Sequence, residues 1–272
     1  MFFVASPNYN YGRFVGDAVV SVRSQQGGGI NVRHHVQDGL SSDNTVEVLE
    51  RHKWAGLTYR TEPDSGQCDA LNKALGYVDD SARFIAWLNS DEYYLPGAFA
   101  KVSSYFANNP DIDVLYGDSL HVGADRTILR LVAQHGFRKS VLRSYGTFIQ
   151  TSSTFYRREI LDRGDLVLDP TFKQVMDLEL FMRLSERGYT FGHLPEPLSA
   201  FRIHPAQLTT LHGVDVARAE RSRIPGVRNS TAAIRIGRYQ HRALKVLGGC
   251  VHRERRASRT IAGSLAPTGQ VQ

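Results

Sequence analysis

Short apolar runs alternate with longer amphipathic stretches over the first 120 residues. Phe2–Ala5, Val32–Val36, Leu57–Thr61, Phe84–Leu88 and Val114–Tyr116 have the length and composition of buried strands. Between them, Tyr11–Ser24, Asn44–His52, Gly66–Gly76 and Pro96–Phe106 read as helices. Ser42 and Asp43 stand where the second helix needs a cap, and Pro96 suits a first helical turn. This alternation predicts an α/β fold with a mainly parallel sheet and helices on both faces. Such sheets bind ligands beyond the carboxyl ends of their strands. Chemistry is therefore expected in Ser6–Asn10, Gln37–Asp43, Glu62–Gln67 and Asn89–Glu92.

From 121 to 213 the pattern loosens. Thr127–Val132, Ser153–Tyr156, Phe191–Leu194 and Leu198–Ile203 read as strands, and Met176–Arg187 as a helix. Beyond Gly213 the apolar content falls; Ala232–Leu247 reads as a basic helix and Ser258–Gln272 as disordered. The expected organisation is a domain over 1–213 and a basic, partly helical and partly disordered tail over 214–272. The tail holds 12 basic and three acidic residues, a net of +9. Residues 1–213, with 21 basic and 24 acidic, carry −3, so the basicity of the chain belongs to the tail. Such a tail attracts anionic surfaces. No nucleic-acid-binding motif accompanies it, so an anionic membrane surface or another protein is the expected partner rather than nucleic acid.

Composition narrows the class further. At 42% hydrophobic and 22% charged residues the chain is globular in character. Two cysteines, Cys68 and Cys250, exclude a disulfide scaffold and a cysteine-built zinc site. The longest apolar runs are five residues, against about 20 for a spanning helix. A soluble, cytoplasmic protein, peripheral on the inner face of the membrane, is expected.

Two constellations carry chemistry. Asn89-Ser90-Asp91-Glu92 follows the apolar Ala86-Trp87-Leu88, which places carboxylates at the end of a central strand, where oxygen ligands suit Mg2+ or Mn2+. The same residues also make an ordinary Asn/Asp-rich turn. Further acidic residues, Asp38, Asp64 and Asp118, stand at other strand ends. The second constellation is the helix starting at Met176. In helical projection Asp177 falls on the apolar side between Phe181 and Leu184, whereas Glu179 and Arg183 form an i,i+4 pair on the polar face. An inward carboxylate is costly unless it caps the helix, finds a partner or faces a cleft. Gly27-Gly28-Gly29 lacks the lysine of a phosphate loop, and His34-His35 alternate faces and cannot share a site.

The segments Ser6-Pro7-Asn8-Tyr9-Asn10, Asp38-Gly39-Leu40-Ser41-Ser42-Asp43, Glu62-Pro63-Asp64-Ser65-Gly66-Gln67 and Asn89-Ser90-Asp91-Glu92 occur in order. With Gln150–Arg158, Met176–Leu184 and Ala200–Pro205 they closely resemble family 2 glycosyltransferases of the GT-A fold over residues 2–205. The resemblance implies a Rossmann-like sheet and an inverting transfer from a nucleotide-sugar donor, most readily a UDP-sugar. The acceptor would be a glycan or lipid-linked hydroxyl in surface polysaccharide or glycolipid assembly. It further implies that Pro7, Tyr9, Asp38 and Asp64 line the nucleotide site, with Asn89 and Ser90 beside the ribose and diphosphate. Asp91 and His204 would reach a Mn2+ or Mg2+ ion, and Asp177 would be the general base. Asn89 replaces the first aspartate of the family's Asp-x-Asp motif, and Glu92 stands where Asp is usual. The alternatives are a metal-dependent nucleotidyltransferase and a degenerate module that binds a glycan or partner without catalysis.

Overall fold

The computed structural model describes residues 1–205, 207 and 213–268. Strand–helix alternation opens the chain as β1 (Phe2–Asn8), α1 (Gly12–Arg23), β2 (Val32–Asp38), α2 (Thr45–Arg51), β3 (Leu57–Thr61), α3 (Gln67–Leu75) and β4 (Phe84–Trp87). After β5 (Tyr93–Tyr94) and α4 (Ala98–Asn108) come β6 (Val114–Val122), β7 (Ile128–Val132), α5 (Lys139–Ser144), β8 (Thr154–Arg157) and α6 (Arg158–Asp162). The chain continues through α7 (Met176–Glu186), β9 (Phe191–Arg202), α8 (Gly213–Arg223), α9 (Thr231–Leu247) and α10 (Cys250–Thr260). The described strands form one sheet in the order β3-β2-β1-β4-β8-β6-β9-β5, with β7 paired to β6.

β1 pairs in parallel with β2 on one side and β4 on the other, Phe2 facing Val32 and Phe84. Alternate side chains of β1 feed two cores. Phe2 and Val4 pack on the face shared with Ala18, Val22 and Phe99 of α1 and α4. Phe3 and Ala5 pack on the opposite face with Leu71, Phe181 and Leu184 of α3 and α7. Period-two alternation with both faces buried explains why these strands are unbroken apolar runs. The chain moves outward from β1 to β3 and then returns to β4 on the other side of β1. The crevice between β1 and β4 is therefore a topological switch point.

Beyond β4 the pairing becomes mixed: β8 is antiparallel to both β4 and β6, while β6 and β9 are parallel. The two strands expected at 191–194 and 198–203 are one strand, β9, whose register with β6 shifts around Gly117, Asp118 and Ser119. This irregularity absorbs Pro195 and Pro197, which cannot donate to a regular ladder.

The C-terminal segment packs on the domain. α9 lies so close to α5 that a Cβ on Gly237 would sit 2.5 Å from the backbone nitrogen of Tyr145. α10 covers β7, where Cys250 and Ala266 are buried with Leu120, Val122 and Ile128. From α10, Arg253 reaches the buried carboxylate of Asp118, which also bonds His193 Nε2 at 3.0 Å. Disorder expected from Ser258 gives way to structure over 258–268. Ser258–Thr260 complete α10, and Leu265 bridges Thr127. The remaining residues of that expectation, 269–272, lie outside the described residues.

Candidate active site

The carboxyl ends of β1 and β4 open into a cavity of about 530 Å3. Pro7, Tyr9, Asp64, Asn89, Ser90 and Asp91 all border it, so six of the residues singled out in the sequence converge at the switch point. The two strand ends are tied together where Ser90 Oγ donates to the Pro7 carbonyl at 3.0 Å. Asp64 approaches the turn after β2 so closely that a Cβ on Gly39 would fall 2.5 Å from its Oδ2. Burial raises the Asp64 carboxyl above its ordinary value, while the Gly66 N–H, 2.9 Å from Oδ1, opposes that rise. Asp38 occupies a different place. It is buried and accepts from Asn8 Nδ2 at 2.7 Å, from the Ser41 N–H at 3.0 Å and from Ser41 Oγ at 2.5 Å. It does not border the cavity; Asn8, which it orients, does.

Asp91 and His204 are brought together from opposite ends of the domain, with His204 Nε2 3.0 Å from Asp91 Oδ2. Phe14 and Tyr11 flank the imidazole at ring-centroid distances of 4.7 and 5.6 Å. Arg202 locks the approach, donating from Nε to the Asp91 carbonyl at 2.8 Å and from Nη2 to Asp17 at 2.6 Å. One carboxylate oxygen and one imidazole nitrogen are an incomplete set for a divalent ion. Among the described residues no third His, Cys, Asp or Glu completes it. The pair fits a cation whose remaining positions go to ligand oxygens, as Mg2+ and Mn2+ prefer when they bind phosphates. Glu92 is buried beside Asp91, and desolvation first, then the Asp91 charge, pushes its carboxyl up to about 8. A bridge of side chains continues from it: Asn89 Nδ2 donates to Glu92 Oε1 at 3.2 Å, and Gln67 Nε2 to Asn89 Oδ1 at 2.7 Å.

A second cavity of about 790 Å3 shares Gln67, Asn89, Glu92, Lys173 and Phe201 with the first. Asp177 borders it from the first turn of α7. Its Oδ1 accepts the Leu178 N–H at 2.7 Å, as a first-turn acid does, and no cation pairs with it among the described residues. Burial pushes its carboxyl up to about 6. Glu179, by contrast, holds Arg183 through bonds of 2.7 and 3.0 Å, and Arg183 in turn donates to the carbonyls of Asp165 and Val167. The two acids of this helix thus differ sharply: one is occupied with structure, and the other is open to a cleft.

Glu220 of α8 is a functional candidate absent from the sequence reading. Its buried carboxylate accepts the N–H groups of Lys173, Gln174 and Val175 at 2.9, 2.8 and 3.2 Å, immediately before α7. A residue of the expected tail therefore holds the loop that positions Asp177. Its separation of more than 40 residues from these donors left no local pattern to read.

Comparison with known proteins places the geometry in a family. The profile described as Glycosyl transferase family 2 matches residues 3–164. The uncharacterized glycosyltransferase MG025 homolog of Mycoplasma pneumoniae is 23% identical over 219 residues, 78% of this chain and 71% of its own length. The uncharacterized glycosyltransferase alr2836 of Nostoc is 27% identical over 209 residues, 73% and 63% respectively. Among solved structures, S. aureus TarS 1-349 in complex with UDP-GlcNAc superposes with a TM-score of 0.66 at 15% identity. That match covers 94% of this chain and 77% of the other. A mannosyltransferase from Pyrobaculum calidifontis in complex with GDP-Man and Mn2+ gives 0.58 at 17%, over 98% and 65%. At such identities the likeness is one of architecture, and the architecture is the GT-A fold.

Proposed function

Because the chain belongs to glycosyl transferase family 2, we propose that it moves a sugar from a nucleotide-diphosphate sugar to an acceptor hydroxyl with inversion. The observation that carries this reading is the meeting of two cavities along Gln67, Asn89, Glu92 and Lys173. Asp91 stands on one side of that seam and a carboxylate without a cation, Asp177, on the other. The smaller cavity takes the nucleotide against Pro7, Tyr9 and Asp64, and Asn89 and Ser90 face the diphosphate. A Mn2+ or Mg2+ ion, held by Asp91 and His204, would neutralise charge on the leaving diphosphate. Asn89 in place of an aspartate keeps the negative charge beside that ion low.

Asp177 accepts the proton of the acceptor hydroxyl while the donor bond breaks. Its carboxyl at about 6 leaves it ionised at neutral pH yet more basic than an ordinary aspartate. Placing base and diphosphate in separate cavities with a common wall supports single displacement. A UDP-sugar is the first donor to examine, and a glycan or lipid-linked acceptor of surface polysaccharide or glycolipid assembly is the expected partner. Exposed Ile236, Tyr239 and Leu247 on α9, interleaved with Arg235, Arg238 and Arg242, support residence at an anionic membrane surface. No described helix is long and apolar enough to cross a membrane.

The test is a screen of UDP- and GDP-sugars with Mn2+, read as nucleoside-diphosphate release and as thermal shift. At least one donor should be turned over by the wild type. Asp91→Asn should abolish the Mn2+-dependent part of the shift given by the nucleoside diphosphate, and His204→Ala should reduce it less. Undiminished metal-dependent binding in the Asp91 variant would remove Asp91 from the ion.

A further inference from the structure

The larger cavity has the volume of a site for an extended ligand, and its far wall comes from β7, α9 and α10. Its charges can be resolved one by one. Lys245 is neutralised by Glu254 at 2.5 Å, and Glu254 also accepts the Ala133 N–H at 3.0 Å. His121 and His241 are pushed down to about 4 by burial, so neither carries charge at neutral pH. Arg130 meets only His121, with Nη2 3.3 Å from Nδ1. No acid pairs with Arg130, Lys173 or Arg255 among the described residues. Three cations thus face a cavity in which, among the described residues, Asp177 is the acid that no side chain pairs. Arg130 and Arg255 do not border the nucleotide cavity, so the donor diphosphate does not account for them.

We propose that this cavity takes an anionic saccharide as acceptor, and that Arg130 and Arg255 read its carboxylate or phosphate groups. A guanidinium presents a planar fork that matches either group through two hydrogen bonds, and a concave wall of one sign concentrates the opposite charge. Arg255 lies on α10 and Arg130 on β7, the strand that α10 covers, so both guanidiniums belong to the same wall of the cavity. The inference rests on the transfer reaction proposed above and adds to it the chemical class of the acceptor.

The test titrates the full chain, with UDP and Mn2+ present, against three probes of similar size: trigalacturonic acid, a glycerol phosphate trimer and neutral maltotriose. At least one acidic probe should bind roughly tenfold more tightly than maltotriose, with an advantage that shrinks as salt rises. Whichever acid binds more tightly identifies the source of the charge as carboxylate or phosphate. Arg130→Gln and Arg255→Gln should each weaken the acidic probe by about five- to tenfold. Arg51→Gln, which removes an equal charge from the exposed face of α2, should change nothing. Equal affinity for maltotriose, or equal weakening in the Arg51 variant, overturns the proposal. UDP binding is read in the same samples. Its absence in the wild type would count against the donor reading, whereas UDP binding without acid preference would count against this inference alone.

Discussion

Replacing Asp177 with asparagine separates what this carboxylate does for the reaction from what it costs the fold. Desolvation raises its carboxyl from 3.8 to about 6 without a cation to offset the burial. A carboxyl that is a weaker acid when folded binds its proton more tightly in the native state. Its contribution to stability is therefore present below pH 4 and lost as pH rises through 6. The rise corresponds to about 3 kcal/mol at neutral pH, and partial exposure to water reduces this to roughly 1–2 kcal/mol. Asn keeps the shape and the bond from Leu178 but carries no charge. It should stabilise the protein by that amount at pH 7.5, raising Tm by about 2–4 °C per kcal/mol, and have little effect at pH 4. Activity should move the other way. A positioned base contributes about 10²–10⁴-fold, so turnover should fall by that factor while donor affinity stays near wild type. The wild-type rate should also decline below pH 6. The assay is nucleoside-diphosphate release across pH 5–8, paired with thermal melts at pH 4 and 7.5, with Glu179→Gln as the comparison because its carboxylate is engaged by Arg183. A turnover within tenfold of wild type, a larger loss in Glu179→Gln, or a lower Tm for Asp177→Asn at pH 7.5 would refute the reasoning.

Glu220→Gln replaces a carboxylate that accepts three backbone N–H groups with an amide that has one acceptor oxygen. It should cost about 1–3 kcal/mol and lower turnover at saturating donor, with Glu220→Asp recovering part of both; a lower Tm with unchanged turnover would reduce Glu220 to a structural tie. The outward face of α9 should bind phosphatidylglycerol vesicles in co-sedimentation, weakening with salt, and Ile236→Ser with Leu247→Ser should abolish that binding; retention by the double variant removes α9 from the membrane reading.

The buried parallel strands were legible because both faces are covered, which makes each an uninterrupted apolar run. Their ends were not. β1 runs on to Asn8 and β2 to Asp38 because polar residues there stay in the ladder, Asn8 opposite Asp38. Motif resemblance located the residues at the switch point, and Asp177 could be told from Glu179 by helical phase alone. The contact of Asp91 with His204 spans 113 positions and no periodicity announces it. Asp38, which the resemblance puts at the nucleotide site, is buried against Asn8 and Ser41, and neither bond could be read from the sequence pattern. After 213 the helix at 232–247 was legible, whereas the disorder expected from Ser258 rested on composition and gives way over 258–268 to packing on β7. Gly237, inside the expected helix, is what lets α9 touch α5.

The division of labour between the two cavities has an evolutionary consequence. Every described residue bordering the smaller cavity lies at or before position 207, whereas six described residues that border the larger one fall between His241 and Ser258. The second group also lies outside the stretch that matches the family profile. On the proposed assignment of donor and acceptor to these cavities, selection can act on part of the acceptor site through a stretch of chain that does not border the donor site. Drift in the last 40 residues would then alter acceptor choice while the donor site stayed intact, and a chimaera carrying a relative's α9 and α10 should shift toward that relative's acceptor.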